Sequence, residues 1–383
     1  MTKTIDIWND IEASAAFSCF TPEGGAGEVH AILQVEGSGE LFADQLDRLL
    51  EAERRLMDRP QMEGMKAIFK RYFLSDAVNQ APLIPEEEVC SVSIIQQPPL
   101  NGSKVALWIY LADVDDISKE NGTTVVKCNG YEHLWETIRG SDGDSYGQAE
   151  DLLRRYESIL AEHGATIAEN CIRTWFFVRD VDMQYKGLVD ARREYFEKIG
   201  LTKDTHYIAS TGIGGVSASR KAIHQLGAYA VKGLAKEQIV YLQAADNMNR
   251  TSDYGVTFER GTKVIYGDRS HVFVSGTASI DNHGKVVHEG DICKQTERMW
   301  ANVEAVLNEG GMGWDDVMQI IVYLRDTADA DIVREMFTEK FPDTPFVITL
   351  APVCRPEWLI EMECIGVTPP QPSSPPAPKG GAF

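Results

Sequence analysis

Apolar residues recur along this chain in two periods. At Phe42, Leu46, Leu49, Leu50 and Leu56 the spacing is that of a helix with one buried face. Similar spacing predicts helices over 145–163, 182–199, 292–309 and 328–340. Short apolar or alternating runs bounded by Gly, Pro, Asn and Asp predict strands over 28–35, 65–74, 89–96, 104–111, 123–127 and 130–137. Further strands are expected over 171–178, 222–230, 238–243, 263–266, 271–275, 316–324, 346–350 and 358–367. Residues 1–20 show no clear period. Residues 113–121 read as a polar linker, and 207–215 as a glycine-rich loop after a short strand.

The order strand, strand, helix, strand, helix, strand, strand occurs more than once. Gly122-Thr-Thr-Val-Val126 matches Gly261-Thr-Lys-Val-Ile265. Trp175-Phe-Phe-Val-Arg-Asp180 matches Ile321-Val-Tyr-Leu-Arg-Asp326 at an offset of 146, and the preceding helices match at 147. A fainter copy upstream runs from the helix at 42–57 into Arg71-Tyr72-Phe73-Leu74-Ser75-Asp76. These copies predict an α+β fold of repeated units, with mixed β-sheets and helices packed on one face. The expected divisions are 1–112, a degenerate first unit; 113–250; 251–367; and a disordered Pro-rich tail over 368–383.

Candidate chemistry gathers at the last strand, Leu359-Ile360-Glu361-Met362-Glu363-Cys364. Alternation puts Glu361 and Glu363 on one face, about 6.5–7 Å apart. Two carboxylates in a sheet are costly unless something uses or pairs them. Glu361 and Glu363 are therefore candidate functional carboxylates. The plainer alternative is a pair of carboxylates bridged to arginines at an interface. Arg355, just before this strand, is held extended by Pro356. The 207–215 segment can present Thr211, Gly212 and Gly214 as an anion-binding nest. Its glycine spacing fails the dinucleotide fingerprint at Ser217, and no histidine or cysteine spacing fits zinc, so neither cofactor nor metal is expected.

A net charge of −21 argues against nucleic-acid partners. No window approaches the roughly 18 apolar residues of a membrane span. The seven cysteines form no CxxC pair, and Met1 to Asn9 carries no signal-peptide pattern. The expectation is a cytoplasmic protein with reduced thiols.

Residues 261–367 resemble the YjgF/Rid family, also called the L-PSP endoribonuclease-like family. The carrying residues are Val274 to Ile280, His288-Glu289-Gly290-Asp291, Gln295, Asn302, Val322 to Asp326 and Leu359 to Glu363. Single-unit members of that family are trimers with pockets between subunits. Three units in one chain would therefore form an intrachain pseudo-trimer, alone or as a low-order homo-oligomer. The family's deaminases carry an arginine fifteen residues before the first glutamate of the closing strand. Phe346 stands at that place here.

Over residues 170–367 the chain also resembles the chorismatases, a divergent branch of the same family. Arg173-Thr174-Trp175, Ala191-Arg192, Ala209-Ser210-Thr211-Gly212-Ile213-Gly214, Tyr254-Gly255 and Cys354-Arg355 before Leu359 to Glu363 carry that likeness. It implies hydrolysis of the enolpyruvyl ether of chorismate or a related cyclic carboxylate. Glu361 or Glu363 would be the acid. Arg355, Arg173, Arg192, Thr211, Gly212, Gly214, Tyr254 and Cys354 would bind a small carboxylate. The alternatives are a Rid-type enamine or imine deaminase using Arg355 in a new position, and a non-catalytic protein that binds a small ligand.

Overall fold

The computed structural model describes residues 1–37 and 39–370, without the side chain of Tyr254. The helical period materialises where it was read. α1 (Phe42–Met57) and the later helices each lay one apolar face on a sheet. Leu46, Leu49, Ala52 and Leu56 are the buried stripe of α1.

The first unit comprises β1 (Thr2–Trp8), β2 (Ala13–Phe20), β3 (Glu28–Val35), α1, β4 (Lys66–Leu74), the single turn α2 (Ala77–Gln80), β5 (Ser91–Gln96) and β6 (Val105–Ala112). The second has β7 (Asp116–Glu120), β8 (Thr123–Cys128), β9 (Tyr131–Arg139), α3 (Ser145–Glu162), α4 (Ile167–Asn170), β10 (Cys171–Val178), α5 (Val181–Lys198), β11 (Ala209–Gly214), β12 (Val216–Ser217) and β13 (His224–Lys232). The third has β14 (Ile239–Leu242), β15 (Gly261–Ile265), β16 (Ser270–Ala278), α6 (Ile292–Glu309), β17 (Val317–Leu324), α7 (Ala330–Lys340), β18 (Phe346–Leu350) and β19 (Ile360–Thr368). α3 and α6 begin and end 147 residues apart, as the repeat requires.

One mixed sheet is built on each unit, in the orders β1-β2-β3-β6-β4-β5-β12, β11-β10-β13-β9-β8-β7 and β14-β15-β16-β19-β17-β18, with β12 of the second unit completing the first sheet. In each, the strand after the first long helix pairs antiparallel with the closing strand and parallel with the next edge strand. The fold is α+β, with three related units forming an internal pseudo-trimer.

Four readings need correction. Residues 116–120 are not linker but the edge strand β7, which pairs with β8 despite its polarity. Residues 209–214 form β11 rather than a loop, because Trp175 to Val178 of β10 supply a parallel partner. β14 already belongs to the third sheet, so that sheet begins upstream of the expected division at 250. β19 runs to Thr368, one residue past the expected end of the last unit, and residues 371–383 of the expected tail lie outside the described residues.

The inner sheet faces meet around the pseudo-threefold axis. Phe69 and Trp108 of the first unit stack or T-pack with Trp135 and Trp175 of the second. Tyr229 continues the stack to Phe273 of the third. Each such pair adds about 0.5–1.5 kcal/mol beyond area burial. The edge strands interlock cyclically. The chain after β5 pairs with β18, the chain after β11 pairs with β5, and the Pro352 carbonyl after β18 accepts from the Gly214 N–H of β11. Near one end of the axis, buried Glu28 of β3 accepts from Arg269 at 2.9 Å and meets His271 Nε2 at 3.0 Å, tying the first unit to the third.

Candidate active site

A cleft of about 360 Å³ lies between the second and third units. β11 and α5 form one wall; the β16 and β19 ends, with the chain at 354–358, form the other. Helical spacing aims Asp182, Tyr185, Val189 and Arg192 of α5 at it, since residues three or four apart share a face. β11 offers Ser210 and Gly212 on the cleft side, as strand alternation requires.

Glu361 forms part of the lining and is 5% exposed. Among the described residues, no hydrogen bond or ion pair reaches its carboxyl. Its pKa is pushed up to about 8, first by burial and then by the neighbouring charge of Glu363, against the pull of Arg173 and Arg260. The carboxyl lies so close to Gly276 that a Cβ there would come within 2.2 Å of Oε1. Arg192, Arg260 and Arg355 line the same cleft, with Lys186 nearby. Arg192 Nη1 donates to Ser210 Oγ at 3.3 Å, and its Nε to Thr257 Oγ1 at 3.2 Å. Arg355 stacks over the Trp358 ring, 4.7 Å from its centroid. Cys354 and Tyr185 close the floor. Burial and the nearby Glu361 push the Cys354 thiol up to about 12, and burial holds the Tyr185 phenol well above its usual range.

Glu363 faces elsewhere. Its Oε2 accepts from Arg173 Nη2 at 2.8 Å and from Thr211 Oγ1; its Oε1 accepts from Trp175 Nε1 at 2.8 Å. Arg71 Nη1 of the first unit lies 3.6 Å from Oε1. This is a buried lock on the axis, made by all three units.

Of the residues singled out in the sequence, Glu361, Arg355, Arg192, Gly212 and Cys354 converge on the cleft. Glu363, Arg173 and Thr211 converge on the lock behind it. Gly214 is at neither place: it packs against Pro352, where a Cβ would meet backbone at 2.8 Å. The nest reading fails, because as a strand β11 spends its Gly214 N–H on Pro352. The side chain of Tyr254 lies outside the described residues. Three residues were missed. Tyr185 stands two turns before Arg192, so helical spacing pointed to it. Arg260 immediately precedes the repeated Gly-Thr of β15. Arg71 occupies a repeat position held by Trp175 and Ile321 in the other copies, and a lone arginine there was the available signal.

The register also explains Phe346. It pairs with Ile320 in β18, while the cleft is walled by β11 of the preceding unit. The repeat puts Ser210 at the corresponding place on β11, and Arg192 reaches Ser210 from helix α5.

A protein-family model described as endoribonuclease L-PSP matches residues 262–368. A RutC family protein of Pyrococcus abyssi is 35% identical over 96 residues, 24% of this chain and 76% of that protein. The 3-aminoacrylate deaminase RutC of Acinetobacter baylyi is 30% identical over 97 residues, with the same two shares. A crystal structure of a chorismatase superposes with a TM-score of 0.64 at 18% identity, covering 81% of this chain and 96% of that one. The family model thus falls on the third unit, and the fold match, over 81% of the chain, reaches into all three.

Proposed function

Because the chain belongs to the YjgF/Rid superfamily, that of the L-PSP-like and RutC proteins, we propose that the Glu361 cleft is an active site for a small cyclic carboxylate. The reaction is acid-catalysed hydrolysis of an enolpyruvyl ether of the chorismate type. One observation carries this reading: a buried carboxyl without a partner among the described residues, holding its proton near pH 7, faces a cleft lined by three arginines.

Each step has a group suited to it. Glu361 donates its proton to the terminal methylene of the vinyl ether, leaving an oxocarbenium ion. Water adds to that carbon, the hemiketal collapses, and pyruvate separates from the ring alcohol. Arg192, Arg260 and Arg355 take the two carboxylates, for which guanidinium forks are suited. Trp358 and Phe258 supply apolar wall for the ring. The chorismatase fold neighbour covers all three units, which supports the choice of substrate class.

The RutC relatives support a second reading, deamination of an enamine acid. It too begins with a proton delivered to an unsaturated carbon, so Glu361 would keep its role. The cleft volume favours a ring over a three-carbon acid. Purified protein incubated with chorismate should release pyruvate in a coupled lactate dehydrogenase assay. Absence of pyruvate with the wild type sinks the enol ether reading. Ammonia from 2-aminoacrylate would install the second one. Ligand binding without turnover of either would leave a binding protein.

A further inference from the structure

We infer that Glu363 is a positioning residue that keeps the proton on Glu361, and that Arg71 of the first unit offsets the charge of the Glu363 carboxylate and holds it in place. The inference rests on the reading of Glu361 as the acid. It gives the first unit, none of whose described residues lines the cleft, a part in the chemistry.

The geometry separates the two carboxylates. They lie on one face of β19, two residues apart. Glu363 accepts from Arg173, Trp175 and Thr211, with Arg71 beyond, whereas Glu361 accepts from none of the described residues. When two coupled acids share one proton, it goes to the one less stabilised as an anion. That is Glu361. Arg71 is fully buried and ringed by Phe69, Trp108, Trp175 and Phe177, with its guanidinium carbon 4.9–5.4 Å from each ring centroid. Among the described residues its Nε, Nη1 and Nη2 find no hydrogen-bond partner. A cation placed so deeply is costly, and Glu363 is the nearest anion that offsets it.

Among the described residues, Glu361 feels Glu363 on its own strand, Arg173 from β10 and Arg260 ahead of β15, and Arg192 of α5 and Arg355 before β19 line the same cleft. Burial keeps Tyr323 of β17 and Tyr185 of α5 protonated far above neutrality. At the cleft mouth Asp182 is paired with Arg325, and Lys186 with Asp190. Thr211 couples the two sites mechanically. It donates to Glu363 and accepts from the Gly276 N–H, at the glycine against which the Glu361 carboxyl rests.

The test is a carbon NMR titration of protein labelled at glutamate side-chain carboxyls, with the Glu361 resonance identified by its loss in Glu361→Gln. The wild-type midpoint is expected at about 8. Glu363→Gln removes the like charge and should lower it by about one to two pH units. Arg71→Met withdraws the cation that offsets the Glu363 charge, so the proton is no longer confined to Glu361 and the midpoint should fall, while Arg71→Lys should restore the wild-type midpoint. The pH at which pyruvate release falls should follow in the same directions. A purely structural role would lower stability without moving these midpoints. A folded Glu363→Gln protein with an unmoved midpoint overturns the inference, as does an unmoved or raised midpoint in Arg71→Met. Should Glu363→Gln not fold, the two Arg71 variants decide alone. Because the titration needs no substrate, the expected shifts without pyruvate release would uphold the coupling and defeat only the enol ether reading.

Discussion

The seam between units two and three and the seam between units one and two are built from corresponding strands, yet only the first has a carboxyl at the closing-strand position of Glu361. Across β10 and β13, Trp175 pairs with Gly227 and Phe177 with Gln225. Across β17 and β19, Ile321 pairs with Glu363 and Tyr323 with Glu361. The repeat therefore puts Gln225 where the third unit has Glu361. Gln225 Nε2 reaches Ser93 Oγ and the Ile94 carbonyl of β5, the strand that corresponds to β11. The facing helix differs too. α5 has 18 residues and brings Tyr185 and Arg192; its counterpart α2 has four and brings neither. A groove of about 580 Å³ remains at that seam, lined by Val78, Val92, Ile94 and Arg139, with Glu86, Glu87 and Lys119 as its other charged residues. At the third seam the corresponding residue is Ala106, and the chain at 98–100 pairs onto β18. Duplication supplied three seams. One carboxyl and one long helix distinguish the seam read as catalytic.

The largest effect should come from removing that carboxyl. Glu361→Gln is expected to slow pyruvate release from chorismate by about 10²–10⁴-fold, the range of a general acid. Gln225→Ala should leave the rate unchanged. Coupled-assay kcat values for both variants check this, and similar losses in the two would erase the distinction between the seams.

How far the sequence showed this contrast depends on the signal. Periodicity located α1, α3, α6 and β18 nearly to the residue, because each buries one continuous face. The repeat pointed to three units, and the closing strand pointed to Glu361. What stayed hidden was direction across the axis. Alternation put Glu361 and Glu363 on one face but carried no sign that the second meets Arg173 and Arg71 from two other units. Those contacts join residues 190 or more positions apart. The strand β11 was concealed for a similar reason. Its glycines suit a loop, and only the parallel partner β10 and the crowding by Tyr185 and Pro352 explain them.

The next effect tests the far end of the axis, where the seams are locked rather than opened. Glu28 is ionised well below the ordinary glutamate range because His271 and Arg269 outweigh its burial. Breaking such a buried pair on one side typically costs about 3–5 kcal/mol. Glu28→Gln should destabilise by that order in urea unfolding at pH 7. The loss should shrink as the pH falls below the unfolded-state value of 4.5, because the wild-type carboxylate gives up its advantage as it is protonated. Constant destabilisation down to low pH would assign the cost to packing instead.

Placing the acid in the other seam should cost less and give nothing. Gln225→Glu sets a buried carboxyl against the Ile94 carbonyl, which now receives a donor. A folded-state pKa raised by burial means stability present at low pH and lost as the pH rises, each tenfold change in proton affinity being worth about 1.4 kcal/mol. A destabilisation of about 2 kcal/mol at pH 7, vanishing near pH 4, is expected. The same linkage runs the other way at Glu361, where glutamine should stabilise the protein increasingly between pH 4.5 and about 8. In a Glu361→Gln background, Gln225→Glu should not restore pyruvate release, since no helix brings an arginine there. Restored turnover would show that the carboxyl alone makes a seam catalytic.

The smallest effect separates the arginines within the cleft. Arg192 and Arg260 are buried, at 1% and 3% exposure, whereas Arg355 is half-buried and lies on the face of Trp358. A charge partly open to water is screened, so its attraction for a carboxylate is worth about 1 kcal/mol or less. Arg355→Met should therefore raise KM by about 3–5-fold with kcat unchanged, and added salt should narrow the gap to wild type. Arg260→Met, taking a buried partner from the substrate, should cost more and respond less to salt. If Arg355→Met lowered kcat instead, the guanidinium would be acting on the transition state, and the division of labour between the cleft's buried wall and its rim would have to be redrawn.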